Sequence, residues 1–530
     1  MIAARHGVGA VRGNRATRQA GFSRASAAPV EGRAVATLYG MAKWMAAQAR
    51  SKTNQGAFTV KDGFKRAMLA GAAMAILPAT ALAQVKAPQN LLPADAKQAP
   101  ASPLPAQDPV AASIDAMGQR AQAAETVQPV APEVQTWTVA DARSLAAVIA
   151  GIGAEGLDPK DYQPAELNAA IAAGAGQALN EAASRSFAWL VEDLRDGRTP
   201  MDARKQWFVV DPDADRFRTG DVMAEALRTK SVAASLAALN PVHPDYAALK
   251  AELAKETDAG QRKMIRANMD RWRWLPRDLG KQYLITNVPE YQLRLTVNDK
   301  IISTYRTIVG KPGRTATPQL AETVEGVIFN PTWTVPQSIV KGEGLGAKVL
   351  GNPGWAKAAG YKGWKDKETG FVTVVQQPGP NNSLGLMKVD MPNPHAIFLH
   401  DTPNRNLFAQ ENRALSHGCI RTERARELAI TIAILGNLAN TPETRKAAAD
   451  EAVAISTSGK YTRVPVQKSM PVYITYFTMG RDITGKLRAF SDIYNRDAPV
   501  LAALDAPRQA NRARRTSEEA VEIVDDLQTT

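Results

Sequence analysis

The chain has little cysteine, a single residue in 530, and that scarcity decides much. One cysteine cannot close an internal disulfide, so Cys419 is a buried inert residue, an intermolecular link or a free reactive thiol. No glycine-rich phosphate loop, GxGxxG fingerprint or internal repeat is present, which leaves nucleotide cofactors without a cradle. Beyond residue 83 no stretch is apolar for long enough to span a bilayer. Histidine is nearly as scarce as cysteine, with five residues, yet His395, His400 and His417 all precede Cys419 within 25 positions.

The formal net charge of +13 resembles a nucleic-acid footprint until it is divided. Residues 1–83 hold 12 Lys and Arg against Glu31 and Asp62, so about +10 belongs to that segment and about +3 to the rest. The charge therefore reads as an address, and nucleic acid is not an expected partner. Within it, Lys61, Lys65 and Arg66 precede an apolar run broken by Pro78 and closed by Ala81-Leu82-Ala83, the pattern of a signal peptide cleaved after Ala83. This predicts an exported protein that meets the membrane only in transit. A retained anchor is the competing reading, and the long segment ahead of the run leaves Met41 or Met45 as alternative starts.

Residues 84–136 are rich in Pro, Ala and Gln and read as a linker. From 137 to 280, segments such as "VADARSLAAVIAGI" and "AASRSFAWLVEDLRDGR" space apolar residues at three and four, predicting a helical scaffold. Pro276 and Gly280 are stop signals. Short β-branched runs then extend to about residue 495, and "TVNDKIIS" reads as a hairpin although Asn298-Asp299 lacks the usual glycine. The fold class expected is α+β, a helical region followed by a β-rich, sandwich-like domain. "GNPGWAKAAGYKGW" reads as loop, with a substrate lid as the sharper alternative. A helix is expected after the cysteine motif to about Leu438, with Thr422 as N-cap and Glu423 and Glu427 in its first turns. Residues 506–530 read as a charged tail.

A thiol needs a base or a positive environment to become a nucleophile. His400 ends the apolar run Ile397-Phe398-Leu399, where a buried strand would hold an imidazole over a cleft. His417 lies two residues before Cys419 in a tight turn and is poorly placed to be the base. Gly418 lets the backbone approach a substrate, and with outward amides at the start of the following helix it would form an oxyanion hole. Zinc is the rival use of His395, His400, His417 and Cys419, although the first two sit on a strand and the last two crowd together.

"SHGCIR" at 416–421, with eighteen residues between His400 and the cysteine, resembles the signature of the L,D-transpeptidase catalytic domain, the YkuD-like fold that cross-links bacterial peptidoglycan. "MDRWRWLPRDLG", "FNPTWTVPQSI" and "NSLGLMKVDMPNPHAIFLHDTP" resemble its large proteobacterial YcbB-like branch. The resemblance implies Cys419 as acylated nucleophile, His400 as base, His417 and Gly418 as the oxyanion turn, and the main-chain carbonyl of Asp401 as the group orienting the imidazole. Ser416 and Arg421 are implied substrate contacts, with a structural salt bridge as the alternative for Arg421. Residues 281–495 would form the catalytic domain and about 341–371 its capping segment, in which Trp355 and Trp364 are lid or packing residues.

The implied chemistry is acyl transfer from a stem tetrapeptide of peptidoglycan, with release of D-Ala and formation of a 3-3 cross-link. Neither cofactor nor metal is called for. An outer-membrane protein amine or water as acceptor would give an envelope anchor or a carboxypeptidase. Carbapenem acylation of Cys419 is a further implication. Two departures stand out: Glu423 and Arg424 occupy positions where relatives commonly carry Asn, and the span ahead of "MDRWRWLP" is too short for an inserted peptidoglycan-binding module. A non-catalytic wall-binding scaffold and a papain-like protease are the readings from other classes. The first has no use for a thiol beside an imidazole, and the second reverses the order found here.

Overall fold

The computed structural model describes residues 133–209, 213–437 and 441–509. The signal segment with its cleavage site, nearly all of the linker and the tail from 510 onward lie outside the described residues.

The first part is helical: α1 (Val139–Gly151), α2 (Pro164–Ala173), α3 (Gln177–Asp196), α4 (Thr219–Arg228), α5 (Val232–Ala237), α6 (Pro244–Leu253) and α7 (Ala259–Trp272). Local chemistry sets their starts. Thr138 caps α1 by accepting from the Asp141 amide, Pro164 and Pro244 open α2 and α6, and Asp258 caps α7 through the Gln261 amide. Leu145, Ile149, Phe187, Leu190, Met223 and Leu236 join one apolar core built around α3. Tyr246, Leu249, Ile265, Met269 and Trp272 of α6 and α7 pack instead with Tyr283, Ile285, Tyr473 and Phe477 of the β-rich part. No helix among the described residues is long and apolar enough to cross a membrane.

"MDRWRWLP" is the bracket between the two parts. Asp270 is 1% exposed and accepts hydrogen bonds from the amides of Arg198 (2.6 Å) and Thr199 (3.0 Å) and from Trp274 Nε1 (3.0 Å). Burial would raise its pKa, but Arg273, Arg204 and these donors outweigh that and hold it below the ordinary value. The chain leaves α3 through Gly197 at φ +84°, where a Cβ would lie 2.6 Å from the Trp274 ring.

Strands follow: β1 (Trp207–Phe208), β2 (Gln282–Asn287), β3 (Gln292–Val297), β4 (Lys300–Gly310), β5 (Gln319–Thr323) and β6 (Gly326–Phe329). A two-residue hairpin joins β3 and β4, with Val297 opposite Lys300 and with Asn298 and Asp299 at φ 47° and 61°. Asn and Asp tolerate the left-handed region better than other side chains, so they serve where glycine is usual.

A lobe comes next, comprising β7 (Trp333–Thr334), α8 (Gln337–Gly342), α9 (Leu345–Gly351), α10 (Pro353–Ala358), β8 (Tyr361–Lys365) and β9 (Val372–Gln376). Its strands form a separate sheet in the order β7-β9-β8 over Val335, Val340, Val349, Ala356 and Val374. The loop expected over 351–364 is therefore helix and strand. Its neighbourhood's glycines mark close packing instead: a Cβ on Gly346 would lie 2.8 Å from Val340 Cγ1, and one on Gly363 2.6 Å from Val349 Cγ1.

The chain then returns through β10 (Met387–Asp390), β11 (Leu399–His400), β12 (Ala414–Ser416), β13 (Ile420–Thr422), α11 (Ala425–Gly436), α12 (Pro442–Thr457), β14 (Thr462–Pro465), β15 (Pro471–Thr475) and α13 (Asp497–Asp505). The large sheet runs β1-β5-β15-β2-β3-β4-β13-β11-β10-β6-β14, with β12 also on β4. The long β4 carries the sheet from its first half to its second. The edge strand β1 arrives from the helical part and pairs with β5 in parallel. Past α13, Arg508 reaches back to Glu192 (2.7 Å) and Asp193 (3.0 Å) of α3.

Candidate active site

Three neighbouring strands build the site. β11 lies between β13, parallel with His400 opposite Arg421, and β10, antiparallel with His400 opposite Lys388. Paired residues project from the same face of a sheet, so Arg421, His400 and Lys388 form a row across it. Cys419 enters β13 two residues ahead of Arg421 and so joins that face, while the Ile420 amide donates to the Phe398 carbonyl at 2.9 Å. Residues distant in sequence become neighbours through one parallel pairing.

His400 is 5% exposed, and its Nδ1 lies 2.5 Å from the Asp401 main-chain carbonyl. A carbonyl only accepts, so Nδ1 carries the hydrogen and Nε2 keeps its lone pair. Burial pushes the imidazole pKa down to about 3, the cationic Arg421 and Lys388 reinforce this, and the Asp401 and Leu384 carbonyls oppose it. The ring is thus a neutral base of one tautomer. The Asp401 carboxylate faces elsewhere: Oδ2 accepts from the Leu386 amide (2.9 Å) and Arg405 (3.0 Å), and burial raises its pKa. Gly385 makes room for it, since a Cβ there would stand 2.5 Å from the Asp401 side chain.

Cys419 is half-buried, and its thiol faces the Ala396 carbonyl at 3.5 Å. Burial raises the thiol pKa, with the Phe398 amide, Lys388 and Arg421 pulling it back only in part. A neutral thiol and a neutral imidazole are the resting pair, so the proton moves during attack rather than before it. Ala396 holds φ +51° in a loop tied by Asn393, whose side chain bonds Met391, Ile397 and the Ile397 amide. His395 in the same loop stacks on Phe208 of β1, ring centroids 4.1 Å apart.

The turn before Cys419 departs from expectation in two places. Ser416, expected to touch substrate, is 2% exposed; its hydroxyl donates to the Cys419 carbonyl (2.6 Å) and accepts from the Gly418 amide (3.1 Å), so it shapes the turn. Gly418 sits at φ +117°, a conformation that favours glycine. The helix expected directly after the cysteine is preceded by β13: Thr422 is a strand residue, α11 begins at Ala425, and Arg424 at φ 50° is its N-cap. Strand pairing with β4 outcompetes early helix formation, because Arg421 and Thr422 pair with Ile308 and Thr307. Helix-start amides are consequently absent from the nucleophile turn.

His417 is exposed, with Nε2 3.7 Å from Glu343 of the lobe. The His3Cys zinc set is not assembled, and among the described residues no group of three or more His, Cys, Asp or Glu could hold a metal ion. Among the described residues Arg421 has no ion pair and its buried Nε lacks a hydrogen-bond partner, which speaks against the salt-bridge reading. Glu423 instead forms a two-bond pair with Arg306 of β4, at 2.6 and 3.0 Å.

Sequence reasoning missed Lys388. Its Nζ lies 3.5 Å from the Phe398 ring centroid, and burial lowers its pKa. A lysine within the apolar run "LMKVDM" was the available signal.

Comparison with known proteins agrees with this geometry. Residues 281–474 match the L,D-transpeptidase catalytic domain (YkuD), and residues 135–253 match a scaffold domain. A Haemophilus influenzae protein named "Putative L,D-transpeptidase" is 32% identical over 231 residues, 41% of this chain and 45% of that protein. The chain thus spans less than half the length of this relative. The likeness to the L,D-transpeptidase catalytic domain thus lies in residues 281–474, behind the likeness to a scaffold domain in residues 135–253.

Proposed function

We propose that the protein is a periplasmic peptidoglycan L,D-transpeptidase that forms 3-3 cross-links through a Cys419 thioester. The observation that carries this reading is His400, its Nδ1 pinned by the Asp401 carbonyl, on the strand beside the one that Cys419 enters.

In the first step Nε2 takes the thiol proton as Sγ attacks the carbonyl of the third residue of a donor tetrapeptide. The oxyanion rests against the backbone of the Gly418–Cys419 turn. Collapse breaks the amide bond, the imidazolium returns its proton to the departing amine, and D-Ala leaves. A thioester remains. In the second step His400 accepts a proton from an acceptor amine as it attacks, and the expelled thiolate is reprotonated. Proton transfer and oxyanion stabilisation each contribute about 100-fold or more in such reactions. Arg421, with its unpaired buried Nε, is the cation available to orient the donor.

The test is to incubate the purified protein with disaccharide tetrapeptide and resolve the products by mass. A 3-3 dimer with released D-Ala supports cross-linking, tripeptide alone supports carboxypeptidase action, and an unchanged tetrapeptide refutes the proposal.

A further inference from the structure

We propose that Thr317 is a positioning residue for acyl transfer: its hydroxyl locks the Gly418–Cys419 peptide so that the Cys419 amide faces the developing oxyanion. This rests on the acyl-transfer reading above.

Thr317 is fully buried in the segment between β4 and β5. The Gly310 amide donates to its Oγ1 at 2.8 Å, and Oγ1 lies 2.7 Å from the Gly418 carbonyl. The direction of this relay follows from valence. An amide only donates and a carbonyl only accepts, so the threonine hydroxyl receives from Gly310 and gives its one proton to Gly418. In a trans peptide the C=O and the following N–H point to opposite sides. Drawing the Gly418 carbonyl toward Thr317 therefore turns the Cys419 N–H away from the core. That amide has no hydrogen-bond partner among the described residues, whereas the neighbouring Gly418 amide is spent on Ser416. The free donor and the nucleophilic sulfur belong to one residue, the arrangement an oxyanion contact requires.

The lock is itself held. Gly310 admits the Thr317 segment because it lacks a Cβ, which would stand 1.8 Å from the Thr315 carbonyl. Tyr494 donates to the Gly310 carbonyl (2.6 Å) and accepts from the Thr317 amide (3.2 Å). Arg496 donates to the Thr317 carbonyl (3.0 Å), lies 4.9 and 4.8 Å from the Tyr476 and Tyr494 ring centroids, and also bonds Gln206 next to β1. A hydroxyl used only for packing would not need this many anchors on both sides.

Two reactions of the same thiol separate positioning from general structure. Alkylation of Cys419 by iodoacetamide displaces iodide at carbon and develops no carbonyl oxyanion. Acylation by p-nitrophenyl acetate does: the S–C bond forms, the C–O bond breaks, p-nitrophenolate leaves and the thiol proton passes to His400. Both rates are measured on the full protein, with Cys419→Ala as background. Thr317→Val should slow acylation about 10- to 100-fold and leave alkylation unchanged, and Thr317→Ser should restore acylation. Should the valine variant not fold, Tyr494→Phe loosens Thr317 without removing its hydroxyl and should give a smaller loss of the same selective kind. Equal losses in both reactions, or no loss in acylation, would overturn the proposal. A wild-type protein that accepts p-nitrophenyl acetate yet releases no D-Ala from tetrapeptide would refute the substrate reading and leave the role of Thr317 standing.

Discussion

Acidification from pH 8 to 5.5 should leave the acylation rate of Cys419 without a histidine inflection. An imidazole with the ordinary pKa near 6.5 would be about 90% protonated at pH 5.5, and a reaction using it as base would slow about tenfold. His400 is held near 3 by burial and by the cations Arg421 and Lys388, so well under about 1% is protonated at that pH. The same shift bears on stability. Because the folded pKa lies below the unfolded one, the unfolded chain binds more protons between about pH 6.5 and 3, and stability falls as pH drops through that window. The assay is kcat/KM for p-nitrophenyl acetate hydrolysis or D-Ala release from pH 5 to 8, beside thermal unfolding at each pH. A tenfold fall centred near pH 6.5 with the fold intact would refute a desolvated neutral base.

Gly418→Ala places a side chain at φ +117° and 3.2 Å from Ile397 Cδ1; acylation should fall, with about 1–2 kcal/mol lost in chemical denaturation. Lys388→Met removes a cation that acts on both thiol and imidazole, so alkylation of Cys419 at a fixed pH of about 8 should slow as its thiol pKa rises. Asp270→Ala strips the acceptor from two backbone amides and an indole N–H, and the thermal unfolding midpoint should drop by the equivalent of about 3–5 kcal/mol. Glu423→Gln weakens a largely solvated pair with Arg306, so stability should change by less than about 1 kcal/mol with activity retained.

Features written in local chemistry were legible in the sequence. The helices of the scaffold follow apolar spacing and caps such as Thr138 and Asp258, and the β3–β4 hairpin follows the tolerance of Asn298 and Asp299 for left-handed backbone. His400 and Cys419 were legible as a pair because both residue types are scarce. What escaped depends on contacts far apart in sequence. Gly363 looked like a loop residue because its packing against Val349 has no local signature. Glu423 was unexplained until β4 brought Arg306 beside it. Thr422 resembled an N-cap because propensity cannot see that β4 is available to pair with it. Lys388 lay hidden in an apolar strand, its meaning set by the register that places it opposite His400.

Intact-mass analysis can capture the Cys419 acyl-enzyme itself. Brief exposure of the protein to disaccharide tetrapeptide should add the mass of the donor minus D-Ala, on the peptide containing Cys419. His400→Ala should slow its formation and Cys419→Ala should abolish both the adduct and D-Ala release. Undiminished D-Ala release from Cys419→Ala would contradict the account.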